Sequence, residues 1–75
     1  MNVKIGDTVL TRFGESKIDG MTLTLGPNCS DGDAVSIVGI ESVKAGKVIF
    51  DLDNGKWVWS HQVFNINGTV VPQDR

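Results

Sequence analysis

A chain of 75 residues, with 40% hydrophobic and 21% charged side chains, fits one small globular domain and excludes a disordered or multidomain one. A net charge of −2 excludes a dominant electrostatic pull toward nucleic acid or anionic membrane, and is too small for a polyanion that mimics DNA. The single Cys29 excludes an internal disulfide and a thiolate metal cluster.

Nothing at Met1-Asn2-Val3-Lys4-Ile5 resembles an apolar signal region, and no stretch approaches the roughly 20 apolar residues of a membrane span. The expectation is a cytoplasmic, reducing setting with no membrane contact. Without a secretory signal, Asn28-Cys29-Ser30 and Asn67-Gly68-Thr69 read as turns rather than glycosylation sites.

Turn signals punctuate the chain at Phe13-Gly14-Glu15, Asp19-Gly20, Gly26-Pro27-Asn28, Asp31-Gly32-Asp33, Lys44-Ala45-Gly46, Asn54-Gly55 and Asn67-Gly68. Between them lie runs rich in Val, Ile, Thr and Trp, which suit a pleated surface. These runs predict strands near Thr8–Arg12, Met21–Leu25, Val35–Val43, Lys47–Asp53, Lys56–Ser60 and Thr69–Val71. No window shows sustained helical periodicity. Met21, Leu23 and Leu25 alternate with Thr22 and Thr24, the pattern of a half-buried strand. Gly39 interrupts Val38-Gly39-Ile40 and marks a bulge or bend within the longest strand. Ser60-His61-Gln62-Val63-Phe64 predicts a single 3₁₀ turn capped by Ser60. Residues 1–71 form the expected domain, with 72–75 as a polar tail.

The most informative stretch is Val48-Ile49-Phe50-Asp51-Leu52-Asp53-Asn54-Gly55-Lys56-Trp57-Val58-Trp59. Asn-Gly is the preferred pair for a two-residue type I′ turn, because both central residues need positive φ. That turn sets Leu52 opposite Trp57, Asp51 opposite Val58 and Phe50 opposite Trp59. Val48, Phe50, Leu52, Trp57 and Trp59 then share one apolar face, and Ile49 and Val58 share the other.

The Gly6-Asp7-Thr8-Val9 opening, the Val38-Gly39-Ile40 strand and the Val48-x-Phe50-Asp51-x-Asp53-Asn54-Gly55 hairpin resemble an SH3-like barrel of the Tudor and KOW type. The resemblance covers most of the chain and implies an all-β barrel of five or six short antiparallel strands with one 3₁₀ turn. It implies protein or nucleic-acid recognition rather than catalysis. Ser16 to Asp33 exceeds the simplest versions and predicts an inserted hairpin or long loop. Size and the Gly-Asp-x-Val opening also resemble the plasmid-encoded type II dihydrofolate reductases, symmetric enzymes whose pore is lined by a Val-Gln-Ile-Tyr segment. Here Trp57-Val58-Trp59-Ser60 stands in that place, a departure that removes the residues for cofactor and substrate.

Trp57 and Trp59 have two readings: core or subunit contact, or a groove for a peptide, a methylated Lys or a base. Asp51, Asp53, Asn54 and Gly55 begin like a calcium loop, but the distal ligands are missing and the hairpin accounts for them. Asn28, Asp31 and Asp33 read as turn formers. His61 and Cys29 form no nucleophile–base pattern. The seven basic residues are interleaved with acids, and Lys56 lies near a hairpin tip. The resulting expectation is a non-enzymatic binding or adaptor module without cofactor or metal, working through protein contacts. Its size is that of many phage and mobile-element accessory proteins. Trp57, Trp59, Ile49, Val58 and Lys56 are the candidate binding residues. A small core without disulfide or metal favours a homodimer through the Ile49–Val58 spot. The alternative is single-stranded nucleic acid stacking on a Trp.

Overall fold

Val, Ile and Thr lie between glycine-bearing turns, and a computed structural model describing residues 2–26, 29 and 31–71 arranges these runs as antiparallel strands. In chain order they are β1 (Asn2–Lys4), β2 (Thr8–Thr11), β3 (Gly14–Thr24), β4 (Gly32–Val35) and β5 (Ile37–Gly39). A short helix α1 (Ile40–Lys44) follows, then β6 (Val48–Leu52), β7 (Trp57–Trp59), a 3₁₀ turn (Ser60–Gln62), β8 (Asn65–Ile66) and β9 (Thr69–Val70). The fold is all-β. One ladder runs β7-β6-β3-β2-β8-β9 with β4 also paired to β3, while β1 pairs separately with β5. The expected tail at 72–75, and Asn28 of the turn-forming set, lie outside the described residues.

The spine of the fold is β3. Its first half pairs with β2, and its second half lies between β4 and β6. Between those halves the register to β6 slips, with Ile18 opposite Leu52 but Gly20 opposite Asp51. Asp19 is the extra residue of this bulge, and it resets the alternation. Ser16 and Ile18 point inward before it, and Met21 points inward after it. The segment expected as an insertion is therefore sheet: Met21–Thr24 pair with Gly32–Val35. The expected Met21, Leu23 and Leu25 face is only one residue deep, because Leu23 and Leu25 are exposed. Thr24 is buried instead, its hydroxyl donating to the Lys47 carbonyl at 2.8 Å.

The expected long strand Val35–Val43 breaks into β4, β5 and α1. Helix α1 carries Glu41 in its first turn and Lys44 in its last, both favourable to the helix dipole. Gly46 ends it at φ +71, with Lys47 N–H bonded to the Ser42 carbonyl and Gly46 N–H to that of Val43. That is a Schellman closure, and it needs a residue free to be left-handed. The helix buries only Val43. Five residues are too few to show a period, which is why the sequence reads as strand there.

The two Asn-Gly pairs turn differently. Asn67 at φ +51 and Gly68 at φ +88 form the two-residue turn between β8 and β9, with Ile66 opposite Thr69. This is the type I′ conformation expected at Asn54-Gly55. The Asn67 side chain also accepts the Thr8 N–H at 2.9 Å, tying the turn to β2. Gly6 lies in the turn that leads into β2, and the Asp7 carboxylate accepts the Lys4 N–H at 3.0 Å.

Phe50, Ile18, Ile66, Val48, Val58 and Val63 fill the centre of the core. Ser60 is fully buried among them. Its hydroxyl donates to the Val43 carbonyl at 2.9 Å and accepts the Val48 N–H at 3.3 Å, joining α1, β6 and the 3₁₀ turn. The cap of that turn is Gln62 rather than Ser60: its side-chain carbonyl accepts the Trp59 N–H at 3.1 Å. No helix among the described residues is long and apolar enough to cross a membrane.

Candidate functional site

The β6–β7 connection decides which side chains face outward. Leu52 N–H donates to the Lys56 carbonyl at 2.8 Å, and Gly55 N–H donates to that of Leu52 at 3.2 Å. Only Gly55 takes positive φ, at +82, and Asn54 does not. Asp53, Asn54 and Gly55 thus form a three-residue loop closed by a left-handed glycine, one residue longer than the expected turn.

Contacts with β3 hold the loop in this form. Asp53 N–H donates to the Lys17 carbonyl at 3.0 Å, and its carboxylate accepts the Lys17 N–H at 3.3 Å. The Asn54 amide donates to the Ser16 hydroxyl at 3.0 Å while its carbonyl accepts the Lys56 N–H at 2.9 Å. These bonds satisfy the groups that a two-residue turn would aim elsewhere.

The register slips by one residue as a result. Asp51 pairs with Trp57, Phe50 with Val58 and Ile49 with Trp59. A slip of one moves every side chain of the strand to the other face. Val58 enters the core at 1% exposure, although it was an expected surface residue. Trp57, expected on the face shared with Phe50 and Leu52, in the core or a subunit contact, is instead 53% exposed, and Trp59 is half-buried. Phe50 and Leu52 are buried as expected. The expected Ile49–Val58 apolar spot does not exist, because the two residues lie on opposite faces.

Trp57, Trp59 and Ile49 instead come together with Asp51 and Thr22 around an open groove of about 330 Å³. Thr22 pairs with Ile49, and Ile49 with Trp59, so this row crosses three strands. The indoles meet edge to face, with ring centroids 6.2 Å apart and planes at 78°. Asp51 lies beside Gly20 on β3, where a Cβ would come 3.2 Å from Asp51 Oδ2. The glycine leaves room for the carboxylate on the sheet surface. Asp51 has no ion pair or side-chain hydrogen bond among the described residues, where Lys4–Asp7 is the one salt bridge.

Lys56 lies away from this groove. Its Nζ stands 5.8 Å from the centroid of the Phe13 ring, and the Arg12 guanidinium carbon stands 4.9 Å from the same centroid. Thr22 was not among the candidates read from sequence, and Asp51 was weighed there only as the start of a calcium-like loop. Both join the site only through the observed register, and an Asp in a strand otherwise reads as solvated surface.

The remaining chemistry-bearing residues are dispersed. A Cβ on Gly46 would come 2.5 Å from His61 Nδ1, so the imidazole covers the end of α1. Cys29 Sγ lies 3.8 Å from the Asp31 carbonyl. No three His, Cys, Asp or Glu side chains among the described residues converge as metal ligands.

The sequence matches no protein-family model and no curated protein, and the fold matches no solved structure.

Proposed function

We propose that this protein is a non-enzymatic binding module that engages a partner protein through the outer face of β3, β6 and β7. The observation that carries this reading is Trp57, 53% exposed and packed edge to face on Trp59 in an open groove. Large aromatics in such a position are the residue type that dominates binding energy at protein interfaces. Ser60, the hydroxyl next to the only His, is committed to two backbone groups, which supports a role without catalysis. The short antiparallel strands and the bent, shared β3 support the SH3-like relationship. A cytoplasmic setting belongs to the same reading.

Affinity capture from the native host tests it, with the wild-type and Trp57→Ala proteins as parallel baits. A protein retained by the first and lost by the second is the expected result. Identical sets on both baits would reject the groove as the working surface.

A second reading rests on the Arg12–Phe13–Lys56 cluster, in which two cations border one half-exposed ring. A base stacked on Phe13 with phosphates near the two cations would make it a single-stranded nucleic-acid contact. A salt-sensitive gel shift with short oligonucleotides, lost in Phe13→Ala, is its test.

A further inference from the structure

The β6–β7 ladder leaves one backbone site open beside the groove. In an antiparallel pair, hydrogen-bonded and non-bonded positions alternate. Leu52 bonds to Lys56, so Phe50–Val58 is the next bonded pair and Asp51–Trp57 is a non-bonded one. The N–H and C=O of Trp57 therefore point away from β6, toward the free edge of β7. That strand pairs with β6 alone among the described residues. The same geometry turns the Trp59 N–H outward, but Gln62 already caps it. One pair of backbone groups is thus available to an incoming strand, directly beside the indoles.

The charge beside that edge is negative. Asp51, cross-strand from Trp57, carries a carboxylate with no counter-ion among the described residues, and one strand further in Asp19, exposed in the β3 bulge, likewise has no ion pair there. An indole face next to a free carboxylate attracts a guanidinium by both cation–π and charge-assisted hydrogen bonding. Arginine suits this better than lysine, because its planar fork can stack on an indole and bond a carboxylate at once.

We infer that the groove takes an extended segment of a partner protein, which adds at the Trp57 edge of β7 and lays an arginine side chain between the two tryptophans and Asp51. This rests on the protein-binding reading above and names the partner's chemistry. A second copy of the chain fits less well. Two β7 edges paired about a two-fold axis at Val58 would require the Trp59 N–H that Gln62 occupies.

The experiment is a display library of random ten-residue peptides, panned against the folded protein with Trp57→Ala protein as counter-selection. Enriched peptides are then measured against wild type, Asp51→Asn and Asp51→Glu by tryptophan fluorescence. The expected result is an Arg at one recurring position among β-branched neighbours. Affinity should fall about ten-fold or more on Asp51→Asn, with partial retention in Asp51→Glu. Unchanged thermal midpoints would show that the fold is intact. Neutral or acidic peptides that need Trp57 but ignore Asp51 would overturn the arginine and leave the binding module standing. Peptides that bind equally to the Trp57→Ala protein, or no enrichment at all, would overturn both. Self-association of the free protein that Trp57→Ala abolishes would place a second copy in the groove and overturn the peptide.

Discussion

Trp57 sits directly across the β6–β7 ladder from Asp51. Non-bonded antiparallel pairs bring side chains closest together, and on the outer face Asp51–Trp57 and Ile49–Trp59 are both such pairs. An apolar partner at that position would have made the face a plain hydrophobic patch. With Asp51 there, the face combines aromatic surface and a free charge.

The two faces of the hairpin separate sharply in stability. Phe50→Ala empties the centre of the core and should cost about 3–5 kcal/mol. Trp57→Ala, on the outer face, should cost within about 1 kcal/mol. Urea denaturation of both variants measures the difference. Equal losses would mean that Trp57 is covered in the folded protein.

Asp7 links stability to acid. Burial raises its pKa, but the Lys4 N–H, the Asn67 amide and the Lys4 ammonium together outweigh burial and hold it below the ordinary carboxylate value. A depressed carboxylate contributes stability above its unfolded pKa and loses it as pH falls through the folded one. The protein should lose stability as pH drops below about 4, the unfolded Asp value. Asp7→Asn should be less stable at neutral pH and show a shallower acid limb, both read from thermal midpoints across roughly pH 2–7.

Glycine substitutions distinguish left-handed positions from ordinary ones. Gly55→Ala and Gly68→Ala force a Cβ into φ of +82 and +88, and each should cost roughly 1–2 kcal/mol. Gly39 has φ −76, and a Cβ placed there would meet no atom within 4 Å. Gly39→Ala should then be neutral or stabilising by up to about 1 kcal/mol. Chemical denaturation of the three variants checks the order.

Ser60→Ala removes a hydroxyl that bridges two backbone groups. The Val43 carbonyl keeps the Gly46 N–H as a partner, but the Val48 N–H loses its acceptor in a fully buried site. Leaving that donor unsatisfied should cost about 1–3 kcal/mol. Faster amide exchange at Val48 would locate the loss.

Strand composition and turn residues were enough to read the all-β class, the β6–β7 hairpin and the burial of Phe50 and Leu52. The register was not legible. Asn-Gly is compatible with both a two-residue and a three-residue loop, and the choice is made by Ser16 and Lys17, far upstream on β3. Local propensity contains no record of such contacts. The bulge at Asp19 was hidden for a related reason: a polar residue in a strand looks the same whether or not it breaks the alternation. Helix α1 was missed because its signal is its ends, Glu41 and Gly46, rather than a periodic face. The candidate residues Trp57, Trp59 and Ile49 did converge, while the place of Asp51 beside them was not legible without the register.

The three-residue loop also sets how this chain can diverge. Loss of a single codon between Leu52 and Lys56 leaves two residues for the turn and keeps Leu52 opposite Lys56 and Asp51 opposite Trp57, so both indoles stay outward. The loop can therefore shorten by one residue without moving Val58 out of the core, at the cost of contacts with β3. Point substitutions at Trp57 or Asp51 change the surface and leave the interior untouched. Selection can therefore retune recognition here residue by residue, and a one-residue shortening of the loop does not undo it.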